Sequence, residues 1–291
     1  MTGRVELQTA PRGQFSMPLR LACLILAASL VAGCGSSLFG GKTEIVENND
    51  PPDVIYRKAE GLTDKGRFND AARAYEEVDI NHPYSQEARR AILMAAYAYY
   101  KGGNYDEAIQ TAHRYLPLHP GTQEADLAQN IIAMSYYDRL LDPKRDQTNA
   151  KKALGAYETL LQRYPNSRYA ADAQNRTRIL RDVMAASEMT VGRWYLRKNN
   201  YLAAINRFKV VVTDYQTTEQ APEALMRLTE AYMALGIVNE AQTAAAVLGH
   251  NFPDSKWYTH AYGLLGKRGL QPKEHEGSWI TETWKSDGRP A

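Results

Sequence analysis

Small and apolar positions recur in one fixed order along most of the chain. A Gly-aromatic-x-x-Ala core, or a close variant of it, begins at Gly66 (GRFNDAARAY), Gly103 (GNYDEAIQTA), Thr148 (TNAKKALGAY), Asn199 (NNYLAAINRF) and Gly236 (GIVNEAQTAA). The central small residues are Ala71, Ala108, Ala153, Ala204 and Ala241. At one fixed offset beyond them stand Pro83, Pro120, Pro165, Gln216 and Pro253, so all but one of the cores run into a helix stop. The turns at those points read HPYS, HPGT, YPNS, YQTT and FPDS, and their closing hydroxyls are placed to cap the next helix. Ahead of the cores lie Ala- and aromatic-rich helical segments, such as ILMAAYAYYK from Ile92 and EALMRLTEAYMAL from Glu223. The pattern predicts helix, tight turn, helix and stop, five times over. Pro117 predicts a shortened second helix in the second repeat. The stretch Tyr169–Asp182 has no Pro or Gly and predicts one long helix running to about Arg197. KWYTHAYGLLG from Lys256 reads as a capping helix.

This arrangement resembles the tetratricopeptide repeat (TPR). The turn glycine permits a backbone that other residues resist, and the small central Ala lets paired helices approach closely. Two intervals between central alanines lie near the ~34-residue period of that repeat, and two are longer. The first long interval holds the insertion DRLLDPKRDQT from Asp138, inside the third repeat; the second holds the predicted long helix. The fold class is therefore all-α, a TPR superhelix of about five helix-turn-helix repeats. Stacked repeats bury a continuous core, which makes the Tyr and Leu stripes mostly structural.

The N-terminus carries different chemistry. Leu19–Ala32 is an apolar run broken by Arg20, too short for a transmembrane helix of ~20 residues but suited to a secretory signal. Leu30-Val31-Ala32-Gly33 followed by Cys34 resembles a bacterial lipobox, which implies cleavage before Cys34 and lipid attachment to its thiol. Cys23 lies in the apolar run, so the mature chain would keep no free thiol for a disulfide or for catalysis. Met17 opens a more compact signal, which leaves the true start at Met1 or Met17. The chain then divides into a signal peptide (1–33), a flexible Gly/Ser/Asn-rich tether (34–52), an N-terminal TPR half of three repeats (53–182), a C-terminal half of two repeats and the capping helix (183–266), and a polar tail (267–291). Trp279 and Trp284 in that tail are expected to be exposed unless something docks on them. Gly35 follows the lipidated Cys in place of an Asp, which favours the outer membrane.

Composition narrows the function. Charged residues are 23% and hydrophobic ones 44%, which excludes a wholly disordered chain and a polytopic membrane protein. The formal net charge is +2, and it comes from Arg4, Arg12 and Arg20 against Glu6 in the signal; the remainder is neutral. Duplex DNA, whose binding rests on many Lys and Arg contacts to phosphate, is thereby an unlikely partner. There is no GxGxxG after a strand, no P-loop, no GxSxG and no HExxH. Asp142, Lys144 and Asp146 lack the Gly and terminal Glu of a calcium loop and read as a solvated loop. His82 and His119 precede repeat-closing prolines and read as packing residues. No catalytic residue, metal or cofactor is expected beyond the covalent lipid on Cys34.

The lipobox, the tether, DPPDVIYRKAEGLTDKGRFNDAARAYEEV, the DPKRDQT insertion, GRWYLRKNNYLAAINRFKVVV and FPDSKWY together resemble the BamD (ComL) family, in its alphaproteobacterial form, over about residues 30–265. The family supplies the lipoprotein subunit of the outer-membrane β-barrel assembly machinery. The resemblance implies a scaffold lipid-anchored at the periplasmic face of the outer membrane. It implies as partners a BamA-like barrel protein, other lipoproteins of that machinery, and the C-terminal signals of unfolded outer-membrane proteins. The TPR geometry, in which first helices line the inner surface, puts Tyr56, Arg90, Tyr97, Tyr100, Lys101, Asn130 and Tyr137 on the side expected to hold client peptide. Arg193, Arg197 and Arg207 are the expected contacts to the barrel partner, because Arg pairs bidentately with carboxylates. Plain repeat packing or a solvated helix face remains the rival account of these residues. The alternative function is another periplasmic TPR lipoprotein, coordinating peptidoglycan or secretin assembly.

Overall fold

A computed structural model describes residues 50–286, and the predicted signal, the lipobox and most of the tether lie outside the described residues. The described residues form twelve α-helices and no strand. They pair as α1 Pro52–Asp64 with α2 Phe68–Asn81, α3 Gln86–Lys101 with α4 Tyr105–Leu118, and α5 Ala125–Tyr137 with α6 Thr148–Arg163. Next come α7 Ala170–Arg197 with α8 Tyr201–Asp214 and α9 Ala221–Leu235 with α10 Val238–Asn251, then α11 Lys256–Gly266 and α12 Trp279–Ser286. These are five helix-turn-helix repeats, a capping helix and a terminal helix. No helix of the described residues is long and apolar enough to cross a membrane.

The turn inside four of the five repeats is set by one residue. Gly66, Gly103 and Gly236 have φ of 71°, 77° and 75°, and Asn199 takes the same left-handed conformation at 56°. Asn is the side chain that tolerates this region best. The next residue then reaches back five positions. Arg67, Asn104, Asn200 and Ile237 donate their N–H to the carbonyls of Leu62, Tyr99, Tyr195 and Tyr232 at 2.9–3.0 Å, closing the Schellman motif that ends a helix. The third repeat lacks such a residue. There α5 ends at Tyr137 and the insertion runs to α6. In that insertion the Asp142 and Asp146 carboxylates accept from the backbone N–H of Lys144 (2.8 Å) and Thr148 (3.2 Å).

The second helices also end alike. His82, His119, Tyr164, Tyr215 and Phe252 all adopt φ between −138° and −129° with ψ of 35–59°. A following Pro pushes its predecessor out of the helical region. Tyr215 does the same with Gln216 after it. Pro117 does not shorten α4, contrary to the sequence expectation. The helix has 14 residues, as α2, α8 and α10 do, because Pro117 falls in the last turn. Among the turn hydroxyls, Ser85 and Ser255 do cap α3 and α11, accepting from Ala88 and Trp257 N–H. Thr122, Ser167 and Thr218 cap no helix; Thr122 and Thr218 bond back within their turns, and Ser167 donates to Asp126 at 2.6 Å.

All five central alanines are fully buried. Each helix packs on the next along the chain as far as α11. First helices also touch first helices, α1 with α3, α3 with α5 and α9 with α11, and among the described residues the second helices make no comparable contact. The first-helix row is therefore the tighter, inner side of the stack. The α7 helix has 28 residues and serves two cores. Ala173, Leu180 and Met184 pack with repeats two and three; Ala185 and Met189 pack with repeats four and five.

The tail is not a free polar extension. Residues 271–286 fold back on the outer face, and α12 lies on the second helices α8 and α10. Ile280 and Trp284 are completely buried, and Trp284 meets the Phe252 ring edge-on at 6.3 Å. Trp279 is half-buried; its indole N–H donates to Tyr232 Oη at 3.0 Å, and the Lys209 ammonium sits 4.5 Å over its ring. The expectation that both tryptophans stand exposed is thus corrected: what docks on them is the chain itself. The odd Gln216 has its reason here, because its amide donates to the Thr283 carbonyl of the tail at 3.4 Å, which Pro could not do.

Candidate functional site

The α1–α3 end of the stack holds an open groove of about 1180 Å³. Its walls are Tyr56 and Arg57 from α1, Tyr84 from the HPYS turn, Arg89 and Arg90 from α3, and Leu118 and His119 where α4 ends. Tyr56 packs edge-on against Tyr75 at 5.2 Å, which fixes its ring, and the Arg90 guanidinium lies 5.8 Å over that ring. Arg57 is tied to Asp53 at 2.6 Å. Arg89 and Arg90 make no ion pair among the described residues; Glu60 and Glu87, which also line the groove, make none either, so the groove presents guanidinium groups and carboxylates side by side. Tyr84 is wholly solvent-exposed. Burial, helped by Arg89, holds His119 below the ordinary histidine range, so the imidazole is neutral at pH 7. An aromatic wall beside free guanidinium groups suits an extended peptide that brings an aromatic side chain and a carboxylate.

Of the seven residues expected to hold peptide, the structure brings only Tyr56 and Arg90 into this groove. Tyr56 itself is 9% exposed, so it offers a ring edge and little more. Tyr97 and Lys101 share the far end of α3, with the Lys101 ammonium 5.8 Å over the Tyr97 ring. Tyr100 is tied down: its hydroxyl donates to Asp138 at 2.7 Å, and burial together with that carboxylate pushes its pKa up. Tyr137 is wedged between the Tyr157 ring, edge-on at 6.2 Å, and the Arg176 guanidinium at 4.6 Å. Asn130 is 3% exposed; its amide reaches only Met134 Sδ at 3.6 Å, and its carbonyl oxygen is buried without a hydrogen-bond partner. Its placement on an open surface is corrected: the residue faces the core between helices. Arg57, Tyr84, Arg89 and His119 were not among the expected residues, although the exposed Tyr of HPYS was a readable signal.

Residues 48–261 match the model of a family described as YfiO, an outer membrane lipoprotein. The chain belongs to this family. A relative from Caulobacter vibrioides, named outer membrane protein assembly factor BamD, is 43% identical over 87% of this chain and 82% of its own. Proteins of the same name from Rickettsia prowazekii and Neisseria meningitidis are 36% and 34% identical, covering 83% and 72% of this chain and 96% and 82% of theirs.

In the C-terminal half of this family member, the three expected partner arginines differ in availability. Arg193 donates to Glu223 at 3.0 Å, and Glu223 also accepts from Arg227, which reaches Glu230 at 2.8 Å. That chain of charges joins α7 to α9 and leaves Arg193 little free capacity. Arg207 pairs with Glu188 at 3.1 Å, joining α8 to α7. Arg197, in the last turn of α7, is exposed and makes no ion pair among the described residues. Beside it Trp194 is 48% exposed and stacks edge-on with Tyr195 at 4.9 Å.

Proposed function

We propose that this chain is an outer-membrane protein assembly factor, lipid-anchored through Cys34 at the periplasmic face, and that it works as a scaffold without catalysis. The observation that carries the reading is the family match across 48–261, which spans all five repeats. Client signals would lie in the groove of Tyr56, Tyr84, Arg89 and Arg90. Tyr97 and Lys101 would extend it along α3, while Tyr100, Asn130 and Tyr137 would hold its walls in place. The C-terminal half would receive a BamA-like barrel protein through Arg197 and Trp194, with Arg193 and Arg207 bracing α7 against α9 and α8. Pull-down of the tagged lipoprotein from detergent-solubilised membranes tests the whole reading. Recovery of a large barrel protein with periplasmic domains supports it, and recovery of cell-wall-binding proteins instead counts against it. Arg89→Ala with Arg90→Ala is expected to weaken a fluorescein-labelled peptide ending in a C-terminal Phe by about tenfold, from two lost charge-assisted contacts. Unchanged anisotropy would remove the groove assignment alone.

A further inference from the structure

The outer face of the stack offers a shallow channel between successive second helices, floored by the first helix between them. Between α8 and α10 this channel is filled by α12. Between α2 and α4 it is bridged by Arg114, whose guanidinium reaches Asp79 at 3.3 Å and Glu76 at 4.0 Å. Between α4 and α6 it is open, a groove of about 730 Å³ over α5.

The open groove repeats the filled one position by position, counted from the central alanines. His113 stands where Lys209 covers Trp279. Gly155 stands where Thr243 receives the tail's His275 N–H. Tyr164 stands where Phe252 meets Trp284. Tyr136 contributes an aromatic ring from α5, as Tyr232 does from α9. The floor is apolar, with Ile132 and Ala156 buried, and the bare backbone of Gly155 has open space above it. Charge distinguishes the two. No carboxylate lines the open groove among the described residues, whereas Lys152 and Arg163 both do. Arg163 makes no ion pair among the described residues, and the Lys152 ammonium rests 5.4 Å over the Tyr136 ring.

We infer that the α4–α6 groove is a docking site for a short amphipathic helix of a partner protein, aromatic on one face and acidic along its edge. The tail supplies the mode, two tryptophans five positions apart laid between second helices, and the lining supplies the sign of the charge. The inference does not depend on the client or barrel-partner assignments above.

The probe is a fluorescein-labelled peptide of residues 276–286 carrying K285E, titrated by anisotropy against the full lipidated chain in detergent. Saturable binding is expected. Lys152→Glu with Arg163→Glu should weaken it about tenfold or more, through reversal of two exposed charges. Gly155→Leu should weaken it by filling the floor. Lys209→Glu should leave it unchanged, with circular dichroism confirming that every variant folds. Three results overturn the inference: absence of saturable binding, loss with Lys209→Glu but not with the double reversal, and a dimer in light scattering that the double reversal dissolves. The second would mean exchange into the tail's own channel, and the third that a second copy occupies the groove.

Discussion

Replacing Trp284 by Ala tests whether the tail is part of the folded stack. The Trp284 side chain is 0% exposed and sits on Phe252, with Ile280 equally buried one turn earlier. A Trp of ~200 Å² at ~25 cal/mol per Å² gives about 5 kcal/mol as an upper bound. Large aromatic-to-Ala changes in cores cost about 3–5 kcal/mol. The tail can lose no more than its own docking free energy, however, because beyond that point it simply releases. Its polar contacts, Gln242 to the Gln271 carbonyl at 2.7 Å, Ser278 to Glu240 at 2.7 Å and Trp279 to Tyr232, contribute about 1 kcal/mol each. Trp284→Ala should therefore lower stability in urea by about 3 kcal/mol, and truncation after Leu270 should set the ceiling. Trp284→Ala combined with Ile280→Ala should cost less than the sum of the two, since either change releases the same tail. Hydrogen exchange should rise first in α11 and α10, the end of a nearest-neighbour stack. A loss below about 1 kcal/mol, or full additivity with another C-terminal destabilising change such as Ile280→Ala, would refute the argument.

Two further outcomes follow from single residues. Gly192 in α7 lies against the fully buried Phe208 ring, and a Cβ there would overlap that ring; Gly192→Ala should cost about 1–3 kcal/mol by urea denaturation, whereas Gly263→Ala, with open space around it in α11, should be neutral or stabilise by up to about 1 kcal/mol. Because the His119 pKa is lowered on folding, the unfolded chain binds more protons between the folded value and the ordinary ~6.5, so stability present above that ordinary value should fall as the pH drops through this window. His119→Asn should flatten the melting temperature between pH 7 and 5.5, and an unchanged slope would show that His119 is not the group responsible.

The repeats were legible because their signals are local. A left-handed turn needs Gly or Asn, a stop needs Pro, and a close helix crossing needs Ala, so Gly66, Pro83 and Ala71 each declare their role without reference to the rest of the chain. Pro117 misled for the same reason. Its local rule is right, but one turn from a helix end the forfeited bond is nearly the last one the helix makes, and His119 still donates to Tyr115 at 3.0 Å. The long helix through Arg197, and its joining of the two halves, could be read from the lack of Pro or Gly over 169–182, yet not which of its residues pack with which core, which depends on where α6 and α9 come to lie.

The candidate site was less legible, because helix periodicity assigns a residue to a face but not to solvent. Lys101 stays open on α3, whereas Asn130, chosen by the same rule one repeat further on, is buried, and Tyr137 is wedged between Tyr157 of α6 and Arg176 of α7. Availability of charge is likewise a property of pairs distant in sequence: Arg193 and Arg197 are one helical turn apart, and Glu223 alone decides that one is engaged and the other is not. The tail shows the same limit in reverse. GSWITETWKS reads as polar because its two tryptophans are separated by Ile, Thr, Glu and Thr. On a helix that spacing gathers Trp279, Ile280 and Trp284 onto one side, and Gln216, the single departure from the Pro rule, was the sequence's own sign that the fourth turn had a different neighbour to hold.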